Sequence, residues 1–313
     1  MKGKIATRDA YGEAIIELGR ELKELVVLDA DLSQSTKTAG FARLFPERFF
    51  NIGIAEANLM GTAAGLAAAG KIPFVSTFAV FATGRAYDQV RNSIAYPELN
   101  VKICATHAGI TVGEDGASHQ ALEDIALMRA LPGLTVLVPA DAPETKQVVR
   151  AAAFHNGPVY VRLGRSEVPV INNGDYEFKL GEIRTLRPGT DVTIFACGLM
   201  VSIALVAADS LQAQGIEAQV VNAATIKPLD PEQISLAAAT GAVVTCEEHS
   251  VIGGLGSAVA EILAECQPTP LERVGVKDVF GQSGPASKLL DLYQLTARDV
   301  AAAATRAVAR KQP

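Results

Sequence analysis

Between Thr106 and Gln120 (THAGITVGEDGASHQ) the chain places His107, Glu114, Asp115 and His119 among three glycines, flanked by apolar segments. Two imidazoles and a carboxylate held together can orient hydroxyl groups and relay protons. A lone loop histidine is usually just solvated or structurally bonded, so the weight rests on the grouping. Glu56 is the second candidate, because it interrupts IGIA and NLMGTAAGLAAAG, a stretch otherwise almost free of charge. An unpaired carboxylate there is costly to ionise, so its affinity for a proton rises unless it finds a partner. Such a group suits proton exchange with a ring nitrogen; a helix-start glutamate favoured by the helix dipole explains the position equally well. Phe78 and Phe81, in STFAVF, are neighbours if a helix starts there and a shared wall if a loop does. They could sandwich a heteroaromatic ring, although phenylalanines at that spacing are more often core.

The elements around these residues read clearly. VKICAT, ahead of the loop, is a short apolar run suited to a strand covered on both faces. QALEDIALMRAL, behind it, has helical spacing. His107 to His119 therefore lie at the carboxyl end of a parallel strand, where open α/β sheets place their ligands. Upstream come an amphipathic helix from Thr7 and the strands ELVVLDADL, RFFNIGI and KIPFVSTF; downstream come LTVLVPA and PVYVRLG. Strands alternating with helices indicate parallel sheets with helical crossovers. A turn-rich, charged segment follows, and then DVTIFACG, EAQVVNAAT, AVVTCEE and PLERVGV form a second, smaller unit. The expected layout is two open α/β domains, residues 1–168 and 191–313, joined by a linker at 169–190. EEHSVIGGLGSAVAEIL in the second unit combines a strand, a glycine-rich turn and a helix. It lacks the full dinucleotide fingerprint and reads as tight strand-to-helix packing.

Bulk properties narrow the classes. With 313 residues, 49% of them hydrophobic, the chain can build two domains with separate cores. A net charge of −6 argues against nucleic acid as the main partner. The charged amino terminus lacks the apolar core of a signal peptide. Ile52–Gly70 is the one candidate membrane span, but it contains Glu56 and Asn58 and is otherwise mostly Ala and Gly, so a buried helix is expected and no membrane contact. Cys104, Cys197, Cys246 and Cys266 show none of the spacings of zinc or redox sites, which points to a reducing, cytoplasmic setting.

FNIGIAEANLMGTAAGLAAAG, FVSTFAVF, THAGITVGEDGASHQALEDIALMRALPGLTVLVPAD and GPVYVRLGR, in that order, resemble the transketolase family of thiamine diphosphate enzymes. The resemblance covers roughly the first 170 residues strongly and continues more weakly to the carboxyl end. It implies a pyrimidine-binding domain followed by the family's C-terminal domain. Glu56 then matches the glutamate that bonds the cofactor's N1′, Phe78 and Phe81 the aromatic wall of that ring, and Asp31 an acidic residue supporting the cofactor site. Arg8, Ser35 and Arg165 match positions that hold a sugar phosphate, a role for which guanidinium forks are well suited. His107, Asp115 and His119 match residues that contact substrate phosphate and hydroxyls, and Glu114 is expected only to support the turn.

Two departures stand out. A third aromatic found in many relatives is Gly84 here, with Arg85 and Tyr87 nearby. The GDG motif with an Asn about thirty residues later, which holds the diphosphate through a hard cation, is missing from this sequence. The resemblance therefore implies a second polypeptide, an N-terminal transketolase subunit that carries GDG and the Asn and holds most of the Mg²⁺ (or Ca²⁺) site. Assembly with it into a heterotetramer is expected. The implied activity is transfer of a two-carbon ketol unit between phosphorylated sugars, as in the pentose phosphate pathway. A 1-deoxyxylulose-5-phosphate synthase is a close alternative through AYDQV, while GEDG favours transketolase. A 2-oxo acid dehydrogenase beta subunit has a similar layout, but the paired histidines and Arg165 speak against it. A catalytically silent assembly subunit would have no use for a proton-exchanging Glu56.

Overall fold

The computed structural model describes residues 2–172 and 176–311. In chain order its strands are β1 (Lys2–Ala6), β2 (Leu25–Asp29), β3 (Phe49–Asn51), β4 (Ile72–Ser76), β5 (Lys102–Ala105), β6 (Thr135–Leu137), β7 (Val159–Arg162), β8 (Glu167–Val170), β9 (Arg184–Arg187), β10 (Val192–Ala196), β11 (Ala218–Asn222), β12 (Thr225–Lys227), β13 (Val243–Ser250) and β14 (Leu271–Val276). The larger sheet has the order β12-β6-β7-β5-β4-β2-β3, parallel except at β12. The smaller has the order β14-β13-β10-β11-β9, parallel except at β9. β1 and β8 form a separate antiparallel ribbon.

Every residue of β2 is buried, and its side chains divide by the two-residue period of a strand. Leu25 and Val27 join the cluster containing Tyr11, Ile15 and Leu18 of the helix Thr7–Glu21. Val26 and Leu28 join Leu59, Met60 and Ala63 of the helix Glu56–Ala68. The segment weighed above as a membrane span is thus a 13-residue helix lying on a sheet. Among the described residues no helix is long and apolar enough to cross a membrane.

From β2 the chain adds β3 on one side, and on the other it builds outward through β4, β5 and β7. The crevice between the carboxyl ends of β2 and β4 is the topological switch point, where open α/β sheets bind ligands.

Each half keeps a buried cluster largely its own, and a third cluster joins the two. Phe195, Val221, Ile226, Leu255 and Val259 belong to the same buried cluster as Val26, Ile103 and Val136. β12, which follows β11 of the second sheet, leaves it and pairs with β6 of the first. In the reverse sense, the segment expected as linker supplies β9 to the second sheet. The joining cluster goes beyond the two separate cores expected from length and composition.

Candidate active site

The candidate residues gather above the carboxyl ends of the parallel strands. Asp29, the last residue of β2, is fully buried, and its carboxylate accepts hydrogen bonds from the backbone N–H of Leu32 (2.6 Å) and the hydroxyls of Thr36 (2.6 Å) and Thr38 (2.9 Å). Burial raises its pKa, and these three donors oppose the rise. The turn so fixed holds Asp31 at φ 63°, uncommon for a residue other than glycine, where it accepts from Asn51 Nδ2 at 2.9 Å. Backbone strain of this kind gathers at functional sites.

After β4, Phe78 and Phe81 stand at a helix start and stack 5.8 Å apart with 13° between their planes. His107, after β5, stacks on Phe78 at 3.8 Å, and His119 meets Phe81 edge-on at 5.4 Å. His107 also has positive φ (59°). Its Nε2 lies 3.2 Å from Nη1 of Arg8, and its Nδ1 lies 2.8 Å from Oγ1 of Thr106. A guanidinium only donates, so Nε2 is the acceptor and the ring proton is assigned to Nδ1. Burial, then the charges of Arg8 and Arg165, push the His107 pKa down to about 3. The ring is therefore neutral at physiological pH, and in this arrangement it offers a lone pair, not an acidic proton.

Arg8 also donates to the Ser35 carbonyl at 3.1 Å. The expected contribution of Ser35 was its hydroxyl; the contact observed is through its backbone. Burial lowers the Arg8 pKa, and Arg165 adds to the effect. Arg165 donates to the Val112 carbonyl and to Glu114 at 3.2 Å, with Asp115 at 3.9 Å. Glu114 has the supporting contact expected of it. Arg8 and Arg165, with neutral His107 bonded to Arg8, make one cationic corner, while Asp115 is exposed beside it.

Glu56 begins its helix with a side chain only 3% exposed. It has found a partner: both carboxylate oxygens accept from Nη1 of Arg85, at 2.9 and 3.1 Å. The same guanidinium lies over the Phe81 ring, 4.5 Å from its centroid. Carboxylate and aromatic wall thus face each other across one planar, nitrogen-bearing group. An aminopyrimidine could take the same contacts, so these residues fit the ring of thiamine diphosphate. No group of three His, Cys, Asp or Glu side chains that could hold a metal ion occurs among the described residues.

Sequence reading left several contributors out. Arg85 was visible only as a departure near Gly84. Glu248, on β13 and 5% exposed, accepts from the Thr111 N–H at 2.6 Å and so reaches the loop from the second sheet. Burial raises its pKa to about 7 against the opposing charge of Arg162. Under the loop, Arg162 and Asp124 form a buried pair at 2.7 Å. Glu247 accepts from the N–H groups of Leu255 (2.7 Å) and Gly256 (2.8 Å), so the helix start after the GGLG turn is occupied by the chain's own carboxylate. The structural reading of that turn holds.

Taken together, the doubly wound sheet and the acidic, aromatic and cationic side chains gathered above its strand ends describe an open α/β protein with its candidate site at the sheet's switch point. The family model of the transketolase pyrimidine-binding domain matches residues 3–170, and that of the transketolase C-terminal domain matches residues 181–300. The chain belongs to the transketolase family. It is 54% identical to a protein of Methanocaldococcus jannaschii assigned as a transketolase C-terminal section, over 94% of this chain and 93% of that one. It is 46% identical to a 6-deoxy-6-sulfo-D-fructose transketolase subunit of a Clostridium species, over 97% and 95% of the two chains. Among solved structures it is similar to a split-gene transketolase described as an inactive beta4 tetramer, with a TM-score of 0.91, 59% identity, and coverage of 99% of this chain and 100% of that one.

Proposed function

We propose that this chain is the pyrimidine-binding and C-terminal subunit of a thiamine-diphosphate-dependent transketolase, with residues 1–168 and 191–313 as its two domains. It acts in the cytoplasm with a separate chain that holds the diphosphate and its divalent cation, and it moves a two-carbon ketol unit between sugar phosphates. The cofactor, when bound, supplies the nucleophilic carbon. This chain's residues do the rest: Phe78 and Phe81 orient the ring, Glu56 exchanges a proton with its N1′, and Asp31 supports the turn beside it. Arg8 and Arg165 receive the substrate's terminal anion, and neutral His107, Asp115 and His119 orient its hydroxyls. Support comes from relatives of matching length described as a C-terminal section and as a subunit, from a human transketolase of which this chain spans about half, and from the cationic corner at the site. The name of one relative carries a sulfonated sugar, which also ends in an anion.

The observation that carries the reading is the buried carboxylate of Glu56 facing the Phe81 ring. Glu56→Gln keeps the size and loses the exchangeable acid. With the partner present, turnover should fall by at least about a hundredfold while assembly is unchanged. Turnover within a few fold of the parent would return Glu56 to a helix-start role.

A further inference from the structure

Arg85 has no part in the function proposed above, yet it makes two contacts that a bound ring would make. Its guanidinium is flat, bears nitrogen donors, hydrogen-bonds Glu56 at 2.9 Å and covers Phe81 at 4.5 Å. A guanidinium is weakly hydrated, stacks on aromatic faces and pairs with carboxylates, so it substitutes well for a planar aminopyrimidine. Its outer side is open to solvent. Arg85 is itself about half exposed (53%), and a side chain at neighbouring Gly84 would meet nothing within 4 Å. Glu56 is the opposite case: it is 3% exposed, and Arg85 is the hydrogen-bond partner found for its carboxylate among the described residues. A carboxylate so buried is costly without a counter-charge. Within this chain the burden of neutralising Glu56 therefore falls on Arg85.

We propose that Arg85 is an internal stand-in for the cofactor's ring, a latch that occupies Glu56 and Phe81 when the site is empty and must swing out before the ring can enter. The proposal rests on the assignment of Glu56 to the ring nitrogen. Arg85 is a positioning residue here, acting through Glu56. A closed latch taxes affinity, because the apparent dissociation constant is the intrinsic one divided by the fraction of molecules that are open.

The test measures thiamine diphosphate affinity by calorimetry, with Mg²⁺ present, in the complex of this chain with its diphosphate-binding partner. Arg85→Met keeps an apolar stem against Phe81 and removes the charge. It should tighten cofactor binding by about tenfold, the effect of a latch closed in roughly nine of ten molecules, and lower the melting temperature of the cofactor-free protein. Arg85→Lys, which retains a cation, should stay nearer the parent. In a Glu56→Gln background the step from Arg85 to Met should change affinity by less than about twofold, since the latch has lost what it holds. Unchanged or weaker binding by Arg85→Met overturns the proposal, as does equal tightening in the Glu56→Gln background, which would make Arg85 a steric obstacle only. Arg85→Gln repeats the test if Met is poorly tolerated. Failure of the Glu56 assignment shows separately, as retained turnover in the Glu56→Gln variant with Arg85 intact.

Discussion

His107 shows how one side chain can be switched off as an acid by its neighbours. Its pKa of about 3 lies below the ordinary histidine value of 6.5 in the unfolded chain. Between those values the unfolded chain binds the extra proton, so folding stability rises with pH across about 3–6.5 and levels off above. His107→Asn removes the titration, and asparagine tolerates the positive φ of the position. The unfolding free energy of the parent minus that of the variant should climb with a slope of up to about 1.4 kcal/mol per pH unit in that window. Denaturant titrations at several pH values measure it, and a flat difference would show that His107 titrates normally. Much at this scale was legible in advance. A glutamate in an apolar run, two phenylalanines three apart and two histidines in one loop each stand out against their surroundings. Arg85 did not, because its meaning depends on a helical turn that carries it back over residue 81 and onto residue 56.

At the scale of elements, the loop from His107 to His119 was placed correctly at the end of β5, since an apolar strand before it and a helical pattern after it leave little other geometry. Its support was not readable, because Thr111 and Glu248 are 137 residues apart in sequence and no local pattern announces such a contact. Gly109 lies between them in effect: it adopts φ +84°, and a Cβ there would come within 2.3 Å of the Glu248 carboxyl carbon. Gly109→Ala should therefore cost about 2–4 kcal/mol, combining backbone strain with overpacking. Glu248→Ala leaves the buried Thr111 N–H without its acceptor, at about 1–3 kcal/mol, whereas Glu248→Gln retains an oxygen there and should cost less than Glu248→Ala. Urea midpoints of the three variants decide the matter. If Glu248→Ala and Glu248→Gln proved equally stable, the loop would not depend on this bond. β1 escaped sequence reading altogether, masked by the charges of Lys2 and Lys4 at the amino terminus.

For the whole molecule, alternation of strands and helices was enough to predict two α/β units but not that a third cluster joins them, since β12 is three residues long and has no recognisable period. A fragment of residues 1–170 lacks β12 and the second-half side chains that cover Val136 and its neighbours. It should fail to show a cooperative thermal transition and should aggregate, while the full chain melts in one step; a sharp transition in the fragment would show that the first sheet closes on its own. The excursion of β12 also bears on how the protein is made. Synthesis proceeds from the amino end at roughly 5–20 residues per second, so β6 and β7 leave the ribosome seconds before the strand that will cap β6. During that interval Thr135–Leu137 lacks the strand that will pair with it, and unpaired strand backbone of this kind recruits strands from other chains. The nascent protein thus passes through a stage in which its partner-to-be competes with its neighbours on the polysome, and slower elongation between β8 and β12 would lengthen the exposure.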